Sequence, residues 1–289
     1  MKIIHVLNTS KYSGAENVAI SIIEKMKENN EIIYVSLDGD IRKHLEEKNI
    51  KFEPVKKLNI KEIRRVIKKY KPDIIHAHDF TASVVCAFAC GKIKLISHIH
   101  NNSTWLRAIN VKSIVYLITS FKYSNIFLVS DSIIKEYIFG NCIKNKSEII
   151  GNPVDVSTII NKANNDSTNM EEYDLVFLGR LSKEKNPTQF IEIVKLVQDK
   201  RGINAVMIGD GPLKEECKEL IDKYQLNSVI TLKGFLNNPY VILKNSKILC
   251  MTSIWEGFGL AAIEALTLGK PVIAPKVGGL PNIVDENCR

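Results

Sequence analysis

Residues 247–264 read KILCMTSIWEGFGLAAIE, and the change of character along this stretch decides the fold. Its first part, through Ser253, is a short apolar run with strand composition. Glu256-Gly257-Phe258-Gly259 is a glycine-rich turn, and from Leu260 onward the residues are helix formers. Strand, glycine turn and helix form the repeating unit of a parallel α/β sheet. At such a helix start the N–H groups of Gly257, Phe258 and Gly259 have no partner inside the helix, which makes a natural seat for a pyrophosphate.

Moving outward, the same alternation runs along most of the chain. Strands are expected at 2–7, 32–37, 73–77, 94–99, 126–129 and 147–150, with helices at 15–27, 41–48, 60–69, 80–90, 111–121 and 132–139. A break follows at residues 161–172, NKANNDSTNMEE, which has almost no apolar content and reads as a linker. The rhythm then resumes with strands at 175–178, 205–208, 229–232, 248–251 and 271–274 and helices between them. Two α/β domains are therefore expected, 1–160 and 173–289. In such sheets ligands bind at the carboxyl ends of the strands, where the strand order reverses.

Two groups of side chains carry the chemistry. Glu256 and Glu264 flank the glycine turn. Were that segment helical throughout, the two carboxylates would stand roughly 12 Å apart, near the span from the ribose to the sugar of a nucleotide-sugar. The plainer alternative is a turn residue and a surface helix residue. In the second group, FLGRLSKEKNP (177–187), Arg180 follows an apolar strand and Lys185 precedes a helix that starts at Pro187. Both cations then lie at the carboxyl edge of the sheet, suited to a departing diphosphate. A merely solvated loop is the alternative.

Composition narrows the class. With 45% hydrophobic and 25% charged residues, the 289-residue chain has the balance of a soluble globular protein with two domains. No apolar run approaches the 18 or so residues of a spanning helix, and the first residues lack a signal-peptide core, so a cytoplasmic protein is expected. The six cysteines are scattered without a C-x-x-C pair, which favours buried thiols over zinc or disulfides. Residues 1–150 hold 24 Lys and Arg against 15 Asp and Glu, most densely between Lys56 and Lys71. That run is either a solvated helix face or a surface attracted to anionic lipid at the inner face of a membrane. Tyr70 is the single aromatic residue within it, so nucleic acid is not an expected partner. No Walker A motif, G-x-S-x-G or Cys with an evident base is present.

Together these segments resemble glycosyltransferase family 4, the retaining enzymes of GT-B fold. The family's E-x7-E is matched by Glu256 and Glu264, and its G-R-x4-K by Arg180 and Lys185. Further matches are Ser13-Gly14-Ala15-Glu16, Gly151-Asn152-Pro153-Val154-Asp155, Ile208-Gly209-Asp210-Gly211-Pro212, Lys270-Pro271-Val272-Ile273-Ala274 and Gly278-Gly279. Residues 96–101, ISHIHN, look like members that build capsular or extracellular polysaccharides.

The resemblance implies two Rossmann-like domains facing a cleft, with an acceptor-binding first domain and a nucleotide-sugar-binding second domain. It also implies transfer of a sugar from a nucleotide-sugar donor to a glycan or lipid-linked acceptor. Glu264 would bind the donor ribose, Glu256 the donor sugar, and Arg180 and Lys185 the diphosphate. Gly257, Phe258 and Gly259 would seat the phosphates. Gly14 would approach them from the first domain, and His100 would reach the donor sugar or the reaction centre. Where many relatives have two glycines in the first loop, this chain has Ser13-Gly14. No cofactor and no metal is implied, since the nucleotide-sugar is a substrate.

His76, His78, His98 and His100 form two H-x-H pairs that would suit a metal cluster. With nothing else at metal-ligand spacing, strand-end polar residues are the preferred reading of His76 and His78, and Asp79 is a further cleft candidate. The chain ends soon after Gly278-Gly279, where relatives continue, so a truncated second domain of reduced stability is expected. A GT-B nucleotide-sugar epimerase and an inactive nucleotide-binding fragment are the alternatives.

Overall fold

The computed structural model describes residues 1–12, 14–165 and 171–284. Its two compact units are Met1–Pro153 and Val154–Arg289. Ser13 and the last residues, Asn287-Cys288-Arg289 among them, lie outside the described residues.

In the first unit β1 (Lys2–Val6), β2 (Glu31–Leu37), β3 (Lys51–Val55), β4 (Ile74–His78), β5 (Lys94–Ile99), β6 (Asn125–Leu128) and β7 (Ser147–Ile149) form one sheet. Its order is β3-β2-β1-β4-β5-β6-β7, with parallel pairing throughout. Helices α1 (Gly14–Met26), α2 (Ile41–Glu47), α3 (Ile60–Tyr70), α4 (Asp79–Ala89), α5 (Val111–Ser120), α6 (Asp131–Glu136) and α7 (Gly140–Ile143) lie in the connections, as parallel pairing requires. β1 and β2 are nearly continuous apolar runs because both faces of the sheet are covered. Ala19, Ile20 and Ile23 of α1 pack on Ile3, Ile32 and Tyr34 of those strands.

β3 has no counterpart in the sequence-based expectation. It contains Pro54 and lies at the sheet edge, where the missing N–H removes no ladder bond. Its Glu53 is buried and accepts hydrogen bonds from Arg65 (2.7 Å), Lys69 (2.6 Å) and Tyr70 (2.7 Å) of α3. Burial pushes its carboxyl up, but the bonds from Lys69, Arg65 and Tyr70 outweigh this and hold it at about 2. Two cations of the basic run thus stitch a helix to an edge strand.

The second unit opens with α8 (Val156–Asn164), capped by Asp155, whose carboxylate accepts the N–H of Thr158 at 3.0 Å. The boundary expected near residue 160 therefore falls inside a helix, and the start of the polar run is the last turn of α8. Polar contacts bind that turn to the unit: Asn238 donates to the Lys162 carbonyl (3.0 Å) and Lys244 to Asn164 (2.7 Å). Residues 166–170 of the expected linker lie outside the described residues. Strands β8 (Tyr173–Leu178), β9 (Ala205–Ile208), β10 (Ile230–Gly234), β11 (Ser246–Cys250) and β12 (Val272–Ile273) form a parallel sheet of order β10-β9-β8-β11-β12. Helices α9 (Pro187–Gln198), α10 (Lys214–Lys223), α11 (Tyr240–Lys244) and α12 (Leu260–Thr267) complete it.

Each sheet grows outward from its first strand and then reverses, between β1 and β4 in one and between β8 and β11 in the other. Those reversals leave crevices at the carboxyl ends of the strands, the usual place for ligands in open α/β sheets.

One helix is built inside out. On α5 the inward residues are Ser113, Tyr116, Thr119 and Ser120, while Val111, Ile114 and Ile118 are exposed, as is Phe121 just beyond the helix. Buried hydroxyls hold it in place. Tyr116 bonds Ser97 at 2.8 Å, Thr119 bonds Tyr123 at 2.8 Å, and Tyr137 donates to the Ser113 carbonyl at 2.7 Å. Lys112 and Lys122 flank the apolar stripe, and Lys146 donates to carbonyls at its far end. Among the described residues no helix is long and apolar enough to cross a membrane.

Candidate active site

At the reversal of the second sheet, two loops are tied together by the end of β11. The Thr252 hydroxyl donates to the carbonyls of Lys185 (3.1 Å) and Asn186 (2.8 Å), and the Ile254 N–H donates to Glu184 at 2.8 Å. This brings Lys185, just ahead of α9, against Glu256, and their side chains form an ion pair that is largely shielded from water. Ser253 also approaches Glu256, at 3.3 Å. Arg180 lies in the same loop as Lys185, two residues past β8, and its guanidinium is exposed without a hydrogen bond or ion pair among the described residues. Together with a hydrogen bond from Ser182, its charge helps hold the Glu184 carboxyl below the usual range.

The helical reckoning for residues 256–264 needs correction. α12 begins only at Leu260, and Gly259 caps it at φ 92°, so Glu256 sits in a loop while Glu264 sits on the helix. The expected phosphate seat is otherwise present. Among the described residues the N–H groups of Gly257, Phe258 and Gly259 donate to no backbone carbonyl. The loop is kept in shape by Gly278, at φ +55°, which lies so close that a Cβ there would stand 1.6 Å from the Glu256 carbonyl oxygen. Beside it Gly279 N–H donates to that same oxygen at 3.2 Å. Glu264 is half-buried and accepts the Tyr240 hydroxyl at 3.2 Å. Burial pushes its carboxyl up to about 7, against the lowering effect of that hydrogen bond.

The reversal of the first sheet opens into a cavity of about 480 Å³. Asn8, Glu16, Asp79, His100 and Lys112 supply polar groups to it, and the rings of Phe80 and Trp105, with centroids 4.9 Å apart, form an apolar wall. Gly14 is the exposed first residue of α1, next to Ala15 and Glu16 of the cavity lining. Asp79 is held at φ 61°, a strained value for a residue with a side chain, and its carboxylate accepts the His100 N–H at 3.0 Å. Burial pushes that carboxyl up to about 6 despite the bond from His100.

His76 and His78 are more than strand-end polar residues. Strand register sets His5 beside His76 and His78 beside His98, so five buried imidazoles, including His100, stack on one face of the sheet. Direct contacts join His5 Nδ1 to His78 Nε2 (3.0 Å), His78 Nδ1 to His100 Nε2 (2.8 Å) and His76 Nε2 to His98 Nδ1 (3.2 Å). Two trios, His5-His76-His78 and His78-His98-His100, each bring ring nitrogens within 4.8 Å. Those nitrogens already share protons with one another, which a metal would have to displace. Burial keeps all five rings neutral, His5 near 3 and His100 near 4.

Arg180, Lys185, Glu256, Gly257, Phe258, Gly259 and Glu264 thus belong to the second unit, and Gly14 and His100 to the first. Sequence reasoning did not single out Thr252, Tyr240 or His5. A polar residue directly after an apolar strand, the feature that drew attention to Arg180, also marks Thr252. Nothing local marks Tyr240 or His5.

Two family descriptions match the chain: "Glycosyltransferase Family 4" over residues 12–158 and "Glycosyl transferases group 1" over residues 159–288. An uncharacterised glycosyltransferase of Methanocaldococcus jannaschii is 30% identical over 233 residues, 73% of this chain and 57% of that protein. The chain therefore spans little more than half the length of that relative. The UDP-Gal:alpha-D-GlcNAc-diphosphoundecaprenol alpha-1,3-galactosyltransferase of Escherichia coli is 27% identical over 96% of this chain and 80% of its own length. The solved structure of Anabaena HepE in complex with UDP and glucose superposes with a TM-score of 0.85 at 22% identity. The superposition covers 99% of this chain and 83% of that one, a likeness of fold.

Proposed function

The chain belongs to glycosyltransferase family 4, with the two Rossmann-like units of the GT-B fold, and on that premise we propose that it moves a sugar from a nucleotide-sugar to a hydroxyl of a glycan or lipid-linked acceptor, with retained configuration. The observation that carries this reading is the loop pair at the β8–β11 reversal. There Arg180, unpaired among the described residues, Lys185, and three N–H groups that donate to no described backbone carbonyl lie on the two loops beside Glu256. Such a group of donors favours a diphosphate, and favours it more as charge builds on the leaving group. Glu264, behind Gly259 on α12, takes the ribose hydroxyls, and Glu256 the donor sugar. Once a diphosphate engages Lys185, Glu256 is released from its ion pair to accept sugar hydroxyls. Neither a cofactor nor a metal belongs to this reading, because Arg180 and Lys185 carry the positive charge a diphosphate needs.

The acceptor is assigned to the first unit. Its cavity has the mixed character that sugar rings need: an aromatic wall for their C–H faces, with carboxylate, amide and ammonium groups for their hydroxyls. His100, on the same cavity, is the residue nearest the reacting centre in this reading. The apolar stripe of α5 and its lysines suit peripheral contact with an anionic bilayer, where a lipid-linked acceptor resides. The galactosyltransferase relative acts on a diphosphoundecaprenol-linked sugar by its name.

Product analysis with a panel of nucleotide-sugars and polyprenyl-diphosphate-linked glycans tests the proposal. Nucleoside diphosphate and a glycoside of unchanged anomeric configuration are expected. Arg180→Ala should cut turnover roughly 10²–10³-fold, while Glu264→Ala mainly weakens donor binding measured by calorimetry. Isomerised nucleotide-sugar formed without an acceptor would refute the assignment in favour of an epimerase.

A further inference from the structure

We propose that His5 and His78 are positioning residues that hold His100 as the tautomer with its proton on Nδ1. The inference rests on the reading above only in placing His100 at the sugar site; the tautomer itself follows from the stack.

Each ring in the row His5–His78–His100 is buried and neutral, so each has one N–H and one lone pair. His78 uses one nitrogen toward each neighbour, Nε2 toward His5 and Nδ1 toward His100. Both links must therefore point the same way, and only two orders exist. In the first, His5 Nδ1–H donates to His78, His78 Nδ1–H donates to His100 Nε2, and the His100 proton sits on Nδ1. The second reverses every link.

The ends of the row decide between them. At one end His5 Nε2 is buried and has no partner among the described residues; at the other, His100 Nδ1 and Asn152 Oδ1 are both buried and unsatisfied, and the Asn152 side chain is the one that acts on His100. The first order leaves a lone pair at His5 and aims an N–H at the Asn152 oxygen. The reverse order strands a buried N–H on His5 and sets two lone pairs against each other at Asn152. Orphaned buried N–H groups are rarer and costlier than unused lone pairs. Turning the Asn152 amide over would suit the reverse order at that end and would leave the His5 proton stranded all the same.

The surroundings reinforce the row. The His78 and His100 rings stack with centroids 5.1 Å apart and planes 12° from parallel, and the backbone of His100 is pinned by Asp79 at 3.0 Å. Nδ1 then carries the one N–H of the His100 ring; it is aimed at Asn152, and a sugar oxygen can take it only in place of the Asn152 oxygen. The tautomer of a catalytic imidazole is commonly set in this way by the bond its other nitrogen makes.

Histidine-selective 15N labelling and long-range 1H–15N spectra of the full chain, with His100→Gln for assignment, give the test. His100 should show a protonated Nδ1 and a bare Nε2. In His78→Phe, which keeps a ring in the stack but removes its donor, His100 should shift toward the Nε2–H form that free histidine favours. His78→Asn, whose amide can still donate where Nδ1 stood, should restore the Nδ1–H form. A wild-type His100 with its proton on Nε2 overturns the proposal, as does an unmoved tautomer in His78→Phe. Should that variant fail to fold, the wild-type and His78→Asn spectra still decide. Turnover should fall about tenfold in His78→Phe, largely in kcat, with most of the loss recovered in His78→Asn. If the spectra behave as expected and turnover does not change, the tautomer assignment stands and the placement of His100 at the sugar site fails.

Discussion

Replacing Gly278 by alanine should damage both the stability of the second unit and its hold on a nucleotide-sugar. Two costs arise at this position. At φ +55° an alanine pays the left-handed penalty of about 1–2 kcal/mol. Its Cβ would also lie 1.6 Å from the Glu256 carbonyl oxygen, an unyielding backbone atom. The loop must retreat by more than about 1 Å to restore ordinary contact, which breaks the Gly279–Glu256 hydrogen bond at the cost of a further ~1 kcal/mol and disturbs packing around it. A total of about 3–5 kcal/mol follows, within the range of severe single substitutions. Gly269 is the control: its φ is +69° and a Cβ there meets nothing within 4 Å, so Gly269→Ala carries only the left-handed cost. By calorimetry Gly269→Ala should melt roughly 3–6 °C below the parent and Gly278→Ala about 8–15 °C below it. Binding of the donor nucleotide-sugar should weaken in Gly278→Ala alone. Melting temperatures within about 2 °C of each other would refute the reasoning, because the clash is the only difference between the two sites.

Other outcomes follow from the same geometry. Glu264, raised to about 7 by burial, is charged above that pH and protonated below it, and only the carboxylate can accept both ribose hydroxyls. The donor nucleotide-sugar, whose diphosphate does not itself titrate in this range, should bind progressively less tightly as the pH falls from 8 to 6, by up to about tenfold per unit below 7. Glu264→Gln should flatten that dependence, and a wild-type profile flat across the range would remove Glu264 from the donor site. Phe121 is 79% exposed, so Phe121→Asp should leave the melting temperature unchanged while reducing co-sedimentation with vesicles containing phosphatidylglycerol. Equal sedimentation of the variant and the parent would rule out this stripe as a lipid contact.

Much of the architecture was legible because helix and strand periods are local signals. Alternating apolar runs gave the two sheets nearly strand by strand, and the strand–turn–helix at 247–264 marked the crevice of the second. β3 escaped because Pro54 argues against a strand unless one knows that it lies at an edge. Residues 161–165, though polar, continue a helix already capped by Asp155, so the polar run begins inside α8. The site itself was less readable. That Lys185 and Glu256 form an ion pair depends on two loops 71 residues apart being bound through Thr252, a relation that spacing along the chain cannot express. The histidine stack depends likewise on register: His5 contributes because β1 lies beside β4, and it carries no motif of its own.

The hydroxyl-lined inner face of α5 has a consequence for the protein before it meets any partner. Hiding Ile118 and Phe121 by rolling the helix would swing Tyr116 and Thr119 away from Ser97 and Tyr123 and leave those hydroxyls stranded in the interior. Local repacking therefore gives the oily stripe no escape. At high concentration the protein should stick to itself and to apolar surfaces, and mild detergent or charge placed on that stripe should keep it dispersed.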